Sequence, residues 1–255
     1  MSDHARARAF YEGARRVALG RAEEPLQRQL AAAWLVRLGA DGPTLELGCG
    51  ATTVRAVGSG YVALDLAMKA VVENSNRGVV ADMEVLPFRD ASIGCVFSIA
   101  AMEHVPNPER VLDEIARVLR DGGIAVLAPA WHCRTWAAEG LEFRPYSALR
   151  FSQKARKALI PLRNAIWWRA AFELPRRVVR EMRARRGPVA FSYDRLNPNL
   201  EHYIGTDSDA FTCMDPQAMA IWFASRGWEV VSHRTRRARL LARHEPVVVR
   251  KRTMK

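Results

Sequence analysis

The sequence predicts an α/β fold in which a seven-stranded, mostly parallel sheet ends in an antiparallel hairpin and carries a largely helical insert. Three observations support this prediction. Short apolar segments alternate with helix-like segments through the first 130 residues, as in a parallel sheet covered by helices. The alternation stops at residue 131, and it resumes near residue 212. We therefore expect one core domain from residues 1–130 and 212–255, interrupted by an insert at residues 131–211.

The composition is that of an ordinary globular protein. Hydrophobic residues make up 49% and charged residues 26% of the 255 residues, which excludes disorder, collagen and a small disulfide scaffold. We expect no membrane-spanning helix, because no apolar run approaches the ~20 residues that one needs. The N-terminus lacks the apolar region of a secretory signal, and the four cysteines are scattered. A cytoplasmic protein with reduced thiols and no bound metal is expected.

The positive charge is concentrated in one segment. The net charge of the chain is +12, yet residues 1–130 hold 14 basic and 16 acidic residues. Residues 144–190 hold 13 basic and 2 acidic residues. Such a segment is typical of proteins that meet an anionic partner: a membrane surface, a nucleic acid or a phosphorylated substrate.

The first elements lead to a glycine-rich turn. Apolar residues at helical spacing predict a helix over residues 22–38. Residues 41–43 read Asp-Gly-Pro and predict a turn. A short apolar strand follows at residues 44–47 and ends in Gly-Cys-Gly at residues 48–50, before a helix that begins over residues 52–57.

The next two strands each end at a carboxylate. Residues 61–64 form an apolar segment followed by Asp65, and residues 78–81 form another followed by Asp82. A helix over residues 67–74 is predicted to join them. The carboxyl ends of parallel strands meet at one edge of the sheet, so both carboxylates are expected at the ligand-binding edge.

A continuous apolar run at residues 93–100 predicts a strand that is covered on both faces. The helix that follows is predicted over residues 107–119. Pro108 stands in its first turn, where a missing N–H costs nothing. Asp-Gly-Gly at residues 121–123 ends the helix, and residues 124–128 predict the fifth strand.

The insert and the end of the chain differ in pattern. Prolines divide residues 131–211 into short helical pieces. Asp215 and Pro216 are an N-cap and a first helical residue, and a helix is predicted to run from them to residue 226. Strands at residues 228–232 and 247–250, joined by a turn, are expected to complete the sheet as an antiparallel hairpin.

The segment around Gly48 and Gly50 carries the chemistry. These glycines let the backbone approach a ligand where a side chain would collide, and the helix after them favours an anionic group. Asp65 follows Gly48 by 17 residues, the usual place for a carboxylate that binds ribose hydroxyls. A nucleoside cofactor is therefore predicted. Thr53 stands where a dinucleotide fingerprint has its third glycine, and Glu46 suits an amino group better than a pyrophosphate.

Further motifs follow in the same order as in one large enzyme family. These motifs are Glu46-Leu-Gly48-Cys-Gly50, Asp65, Ala81-Asp82-Met83-Glu84-Val85-Leu86-Pro87-Phe88, Ser98-Ile-Ala-Ala-Met-Glu103-His104-Val105 and Val118-Leu-Arg-Asp121-Gly122-Gly123. With them the chain resembles a class I S-adenosylmethionine-dependent methyltransferase of the type 11 group, with its Rossmann-like sheet. The resemblance covers about residues 25–130 and, by topology, 215–251. It departs at Thr52, where many members have a third glycine.

The resemblance implies S-adenosylmethionine as the cofactor and assigns its contacts. The residues around Gly48 would line the methionyl end, those at Asp65 would hold the ribose and adenine, and those at Asp82 would flank the adenine. The strand end near residue 98 would form the floor. The implied cofactor-binding residues are Glu46, Gly48, Cys49, Gly50, Asp65, Leu66, Asp82, Met83, Ser98 and Ala100. Asp82 and Met83 alternatively form a turn and a core side chain.

Methyl transfer to a hydroxyl gains from a general base. The candidate bases are His104, His132 and His202, together with the carboxylates Asp207 and Asp209. The motif order places His104 nearest the cofactor, although it could instead be a helix-capping or packed histidine. Glu103 is expected to be solvated rather than catalytic. No metal is needed, because the leaving group of a sulfonium is already activated.

The insert is expected to form the substrate pocket and a lid, since it replaces a connection beside the ligand crevice. Large apolar side chains such as Trp167 and Phe172 interleave with arginines over residues 144–190, a composition typical of interfacial helices on an anionic membrane. A solvated basic face over a core-facing stripe is the alternative. Nucleic-acid binding is disfavoured because the insert contains no recognisable RNA module.

Parts of the insert are also similar to bacterial methyltransferases of cell-surface polysaccharide synthesis. The similar segments are Trp131-His-Cys-Arg-Thr-Trp136, Arg144-Pro-Tyr146-Ser147, Asp207-Ser208-Asp209-Ala210 and Arg243-His244-Glu-Pro246. This similarity implies an acceptor hydroxyl on a sugar of a glycan or lipid-linked intermediate, at the inner face of a membrane. A soluble methyltransferase for secondary metabolites or quinones remains the alternative, and a non-catalytic membrane- or RNA-binding protein is a third hypothesis.

Overall fold

The computed structural model describes residues 3–13, 24–39, 41–50, 60–74, 78–201 and 207–253. The strands are β1 (Thr44–Leu47), β2 (Tyr61–Asp65), β3 (Gly78–Val80), β4 (Ile93–Ile99), β5 (Leu119–Ala128), β6 (Tyr193–Arg195), β7 (Thr212–Met214), β8 (Glu229–Val230) and β9 (Val247–Arg250). The helices are α1 (Asp3–Gly13), α2 (Glu24–Arg37), α3 (Met68–Asn74), α4 (Pro108–Val118), α5 (Phe151–Ala158), α6 (Ile160–Asn164), α7 (Ile166–Ala184), α8 (Pro216–Ala224) and α9 (Arg236–Leu241).

Seven strands form one sheet in the order β3-β2-β1-β4-β5-β9-β8. β1 to β5 pair in parallel, whereas β9 is antiparallel to both β5 and β8. This is the predicted mixed sheet, and its strands all lie outside residues 131–211. The connection between the last two strands differs from the prediction, because it contains α9 instead of a bare turn. The predicted helix at residues 52–57 lies outside the described residues.

The two faces of the sheet bury different side chains. Successive residues of a strand point to opposite faces, so Leu45 and Leu47 of β1 pack in a cluster with side chains of α4 and α8. Cys95 and Phe97 of β4 pack on the other face against Leu35 of α2. All seven residues of β4 are buried, as its continuous apolar sequence predicts.

The insert contains α5, α6, α7 and β6, and β6 pairs with β7, just after the insert, in a two-stranded antiparallel ribbon. A separate small core holds its first part together and consists of Trp136, Leu141, Leu149 and Ile160. α7 packs on α8 and α9 of the C-terminal segment. In the described part of the chain, no helix combines the length and the apolar composition needed to cross a bilayer.

α7 buries charge and exposes apolar side chains. Arg177 and Glu181, only 5% and 6% exposed, face the rest of the protein. Glu181 accepts two hydrogen bonds from the Arg239 guanidinium, at 2.8 and 2.9 Å. Trp167 and Met182 are 60% and 54% exposed. An ordinary surface helix buries its apolar stripe. α7 instead buries charged side chains and exposes apolar ones.

Candidate functional site

The loop after β1 requires glycine at its first position. Gly48 has a φ of +71°, a conformation that side chains disfavour. A Cβ on Gly48 would lie 2.3 Å from the Cβ of Ala101 and 3.4 Å from the terminal methyl of Met83. Cys49 is fully buried beside it. The structure therefore brings Met83 to the glycine loop and leaves backbone to line the loop.

Asp65 fastens this loop to the end of β2. Its carboxylate accepts hydrogen bonds from the backbone N–H of Gly50 and of Ala67, both at 2.9 Å. Burial raises the pKa of the Asp65 carboxyl, although these backbone donors and the nearby His104 act in the opposite direction. Leu66, the next predicted contact, is half-buried. A carboxylate at this position can bind a hydroxyl or an amino group of a ligand.

Glu46 is buried within β1, at 1% exposure. Its carboxylate accepts a hydrogen bond from the Tyr61 hydroxyl of the neighbouring strand. The two side chains share the sheet face opposite Leu45 and Leu47, because the residues of a strand alternate.

Asp82 and Met83 begin the loop after β3. One oxygen of Asp82 accepts the backbone N–H of Glu84 at 2.9 Å, and the other lies 3.6 Å from Nε2 of His4. The same His4 nitrogen lies 3.0 Å from a carboxylate oxygen of Glu84. Asn107 donates two hydrogen bonds to Glu84, from its backbone and its side chain. α1 is therefore in contact with the predicted adenine end of the site.

Ser98 and Ala100 lie at the carboxyl end of β4, below the loop. The Ser98 hydroxyl is fully buried and donates to the carbonyl of Leu47 at 3.0 Å. Ala100 has a φ of +49°, and its N–H donates to Ala128. These contacts connect the ends of neighbouring strands, so Ser98 supports the floor of the site through its bond to β1.

His104 lies among carboxylates from distant parts of the chain. Its Nδ1 is 3.5 Å from a carboxylate oxygen of Asp209, and its Nε2 is 3.6 Å from an oxygen of Glu103. The side chain is 19% exposed. The ring of Tyr11 meets the imidazole edge-on at 5.9 Å. An imidazole held in this way can take a proton from a bound group, with Asp209 stabilising the charge that results.

Glu103, beside His104, differs from the expectation, and a further neighbour, Tyr11, comes from the N-terminal helix α1. Glu103 was predicted to be solvated, and this prediction is wrong, because the structure buries it completely. Its burial follows from the 3₁₀ turn Met102–His104, which lies against the ribbon: Phe211 donates its N–H to the Glu103 carbonyl at 2.9 Å. Tyr11 of α1 donates its hydroxyl to Asp209 at 2.8 Å. Burial, followed by Asp209, raises the pKa of Tyr11 well above its usual value, so the phenol stays protonated.

Of the other two candidate histidines, His132 is not part of this group. It is buried, has a φ of +62° and meets His244 edge-on at 6.2 Å. It lines a small cavity with residues of β7, whereas the contacts of His104 described above are to Tyr11, Glu103 and Asp209. His202 lies outside the described residues. The motif order singles out His104 in the sequence, and the structure separates it from His132.

Part of this chain is similar to known methyltransferases. A family profile described as "Methyltransferase domain" matches residues 45–127. An uncharacterised methyltransferase from Mycobacterium sp. (strain JLS) is 46% identical over 52 residues, which is 20% of this chain and 21% of the relative. An uncharacterised 37.1 kDa protein in a transposon of Streptomyces fradiae is 34% identical over 107 residues, covering 36% of this chain and 31% of that protein. The matches thus span about a fifth to a third of these relatives' length.

Some solved structures are partly similar to this chain. Geranyl diphosphate C-methyltransferase from Streptomyces coelicolor A3(2) superposes with a TM-score of 0.40 at 17% identity, over 52% of this chain and 66% of that one. The segment that matches the family profile, residues 45–127, contains the glycine loop, Asp65, Asp82 and His104. Over this segment the chain is similar to methyltransferase domains.

Proposed function

We propose that this protein transfers a methyl group from S-adenosylmethionine to a hydroxyl of a sugar, on a cell-surface glycan or a lipid-linked intermediate. The observation that carries the proposal is the position of His104 between Asp209 and Glu103, beside the cofactor loop. A hydroxyl is a poor nucleophile until a base takes its proton. The site offers a base that is oriented by a carboxylate, as a hydroxyl acceptor requires.

The residues present fit the cofactor. The close approach of Ala101 to Gly48 leaves a backbone cradle, and Asp65 is placed for ribose hydroxyls with Asp82 and Met83 beyond it. Asp209, Glu103 and Asp65 all act on the Tyr11 phenol, so three carboxylates surround one region of a chain whose net charge is +12. A locally acidic site suits a cationic ligand. S-adenosylmethionine, when bound, supplies a methyl group on a sulfonium.

His104 would then act on the acceptor. The imidazole would take the hydroxyl proton of the acceptor, whose oxygen would receive the methyl group that bound S-adenosylmethionine would supply, with the neutral thioether as leaving group. Asp209 holds the ring and stabilises the imidazolium, and Glu103 adds negative charge at the second nitrogen. Positioned bases of this kind contribute about 10²–10⁴-fold to rate. We further propose that the insert at residues 131–211 covers this edge of the sheet and shapes the acceptor pocket.

We also propose peripheral attachment to an anionic membrane through α5 to α7. Trp167 and Phe172 are 60% and 53% exposed. A lid packed inward on these side chains would bury them, so their exposure favours the membrane over a purely covering role. Two arginines of residues 144–190 are not available to a membrane surface, because they face the rest of the protein. Arg177 and Arg180 both bond the carboxylate of Asp215, at distances from 2.7 to 3.1 Å.

Transfer of labelled methyl from S-adenosylmethionine tests the reaction. The purified protein is offered nucleotide sugars, polyprenyl-linked sugars and quinols, and the product is hydrolysed to locate the label. We expect label on a sugar oxygen. Label on quinols alone would establish the small-molecule alternative, and cofactor binding without transfer to any acceptor class would support the non-catalytic one.

Flotation with vesicles tests the attachment. Binding should favour vesicles that contain phosphatidylglycerol over phosphatidylcholine and weaken as salt rises. A Trp167→Ser/Phe172→Ser variant should float less at unchanged cofactor affinity. A protein that stays unbound on anionic vesicles at low salt contradicts the attachment and leaves the enzymatic proposal intact.

A further inference from the structure

A groove of about 970 Å³ runs between α7 and the segment at residues 187–192. Among the described residues, four arginines and no carboxylate line it. Its remaining surface is largely apolar and includes Pro175, Val179, Val189 and Phe191. The arginines are Arg176, Arg180, Arg183 and Arg186. None of these lining residues is among those described above at the glycine loop.

The arginines on α7 lie on one side of the helix, at a spacing where their positive charges repel one another. Arg176, Arg180 and Arg183 are four and three residues apart, so they are neighbours on the helix surface. Like charges at this spacing destabilise a helix. Within the described ranges, no carboxylate pairs with Arg176, Arg183 or Arg186. A bound anion would remove this repulsion.

One of the four arginines is already held in position. Arg180 donates to Asp215 at 2.7 Å and to the Gln217 side chain at 2.8 Å, while its other terminal nitrogen lies 3.4 Å from the Ser192 hydroxyl across the groove. Asp215 is shared with Arg177, so one carboxylate faces two guanidiniums and the pair keeps a positive charge. Pre-positioned guanidiniums are suited to phosphate, which accepts bidentate hydrogen bonds.

A smaller cavity adjoins the groove. It shares Arg176, Arg180 and Ser192 with the groove, reaches Met214 at the end of β7, and is also lined by Glu173, Asp194 and Asp215. Thr212, two residues back along that strand, donates its hydroxyl to the Glu103 carbonyl. Two strand residues span about 7 Å, so the cavity and the Glu103–His104 turn border the same short strand.

We propose that this groove binds the phosphate or diphosphate of an amphiphilic acceptor, with its apolar chain along Val179, Phe172 and the exposed face of α7. Arginines fit the phosphate, the apolar wall and the exposed side chains fit the chain, and the adjoining cavity borders the strand β7, which contacts the Glu103–His104 turn. This inference rests on the proposed function, because it names the carrier of the methylated sugar. The test measures binding to the groove alone, without S-adenosylmethionine. The groove proposal can therefore fail while the proposed methyl transfer stands.

Calorimetry with soluble probes tests the groove. Dihexanoyl phosphatidic acid carries a phosphate monoester and two short chains, pyrophosphate carries phosphate alone, and dihexanoyl phosphatidylcholine has the same chains without net charge. We expect saturable binding of the phosphatidic acid, weaker binding of pyrophosphate and none of the phosphatidylcholine. An Arg176→Gln/Arg183→Gln/Arg186→Gln variant should lose at least tenfold in affinity for phosphatidic acid.

A second variant controls for total charge. Lys154, Arg236 and Arg237 are exposed and lie outside the groove, so Lys154→Gln/Arg236→Gln/Arg237→Gln removes the same charge elsewhere. It should keep wild-type affinity, and both variants should keep the wild-type Tm and cofactor affinity. Equal losses in the two variants would overturn the proposal, as would equal binding of phosphatidylcholine. Binding to phosphatidylglycerol vesicles without binding of the soluble phosphatidic acid would overturn it too, since the groove would then serve the bilayer and not an acceptor.

Discussion

The carboxylate of Asp209 lies 3.5 Å from Nδ1 of His104, although the two residues are 105 positions apart in the chain. Asp209 belongs to the segment that leads into β7, and His104 ends the turn that follows β4. The insert therefore contributes a side chain to the candidate site. The proposed base and its orienting carboxylate come from the two parts of the chain that the sequence distinguishes by charge.

This pair makes a catalytic prediction. Replacing His104 with Gln should lower kcat for the sugar acceptor by about 10²–10⁴-fold, because a glutamine cannot take the hydroxyl proton. Affinity for S-adenosylmethionine should change less than twofold. His132→Gln is the matched control, and it should retain most of the wild-type kcat. A His104→Gln enzyme with wild-type turnover would show that the hydroxyl needs no base from this residue.

Asp65 should be decisive for cofactor affinity. Asp65→Ala would remove the proposed ribose hydrogen bonds and release the Gly50 amide, and we expect a loss of about 10–100-fold in S-adenosylmethionine affinity by calorimetry. Asp121→Ala changes an exposed carboxylate outside the site and should leave the affinity unaltered. NADH should not bind to the wild-type protein. Unchanged affinity in Asp65→Ala, or tight NADH binding, would contradict the assignment of this carboxylate.

The two glycines of the loop should differ in their tolerance of alanine. Gly48→Ala adds a methyl that would collide with Ala101 in a left-handed conformation, and we expect about 3 kcal/mol of lost stability from strain and overpacking together. Gly50 has a φ of +50° but open space around it, so Gly50→Ala should cost about 1 kcal/mol. Denaturant unfolding measures both. Adding Ala101→Gly to Gly48→Ala should restore the part of the stability that is lost through the collision. If the second substitution restores nothing, the added methyl does not collide with Ala101.

Asp215 should stabilise the protein in a pH-dependent manner. Burial alone would raise the pKa of its carboxyl, but Arg177 and Arg180 hold the pKa below its ordinary value. The stabilisation is therefore fully present above the unfolded value of about 3.9, and it is lost as the pH falls through the lower folded value. Asp215→Asn keeps an acceptor for the N-cap but leaves Arg177 buried without its partner, so it should cost about 3 kcal/mol at pH 7.

Thermal unfolding across pH checks this prediction. The Tm difference between the wild-type protein and Asp215→Asn should stay constant from pH 5 to pH 8 and begin to close near pH 4. Asp41 forms an exposed pair with Arg120, and Asp41→Asn should show no comparable effect. A Tm difference that grows as the pH falls would contradict the assigned direction of the pKa shift.

The sequence by itself determined the sheet and the cofactor loop. β1 and β9 have the predicted bounds, and other strands differ by a few residues at their ends, because local apolar runs and glycine or proline turns limit them. β5 starts earlier than predicted, at Leu119, since it continues directly from α4 through the Gly-Gly turn. The position of Gly48, Asp65 and Asp82 at strand ends follows from the same local signals, as parallel strands bring their carboxyl ends together.

Tertiary structure alone decided which side chains meet across the insert. Asp209, Tyr11 and Glu103 surround His104 through long-range packing that no local pattern encodes, and Glu103 is buried although charge at that position predicts solvation. Arg177 and Arg180 read as two more cations of a basic surface, yet Asp215 pairs with both of them. Composition records how many charges a segment carries. Which of them face the protein and which face a partner depends on the rotation of α7 against α8 and α9, and only the folded chain determines that rotation.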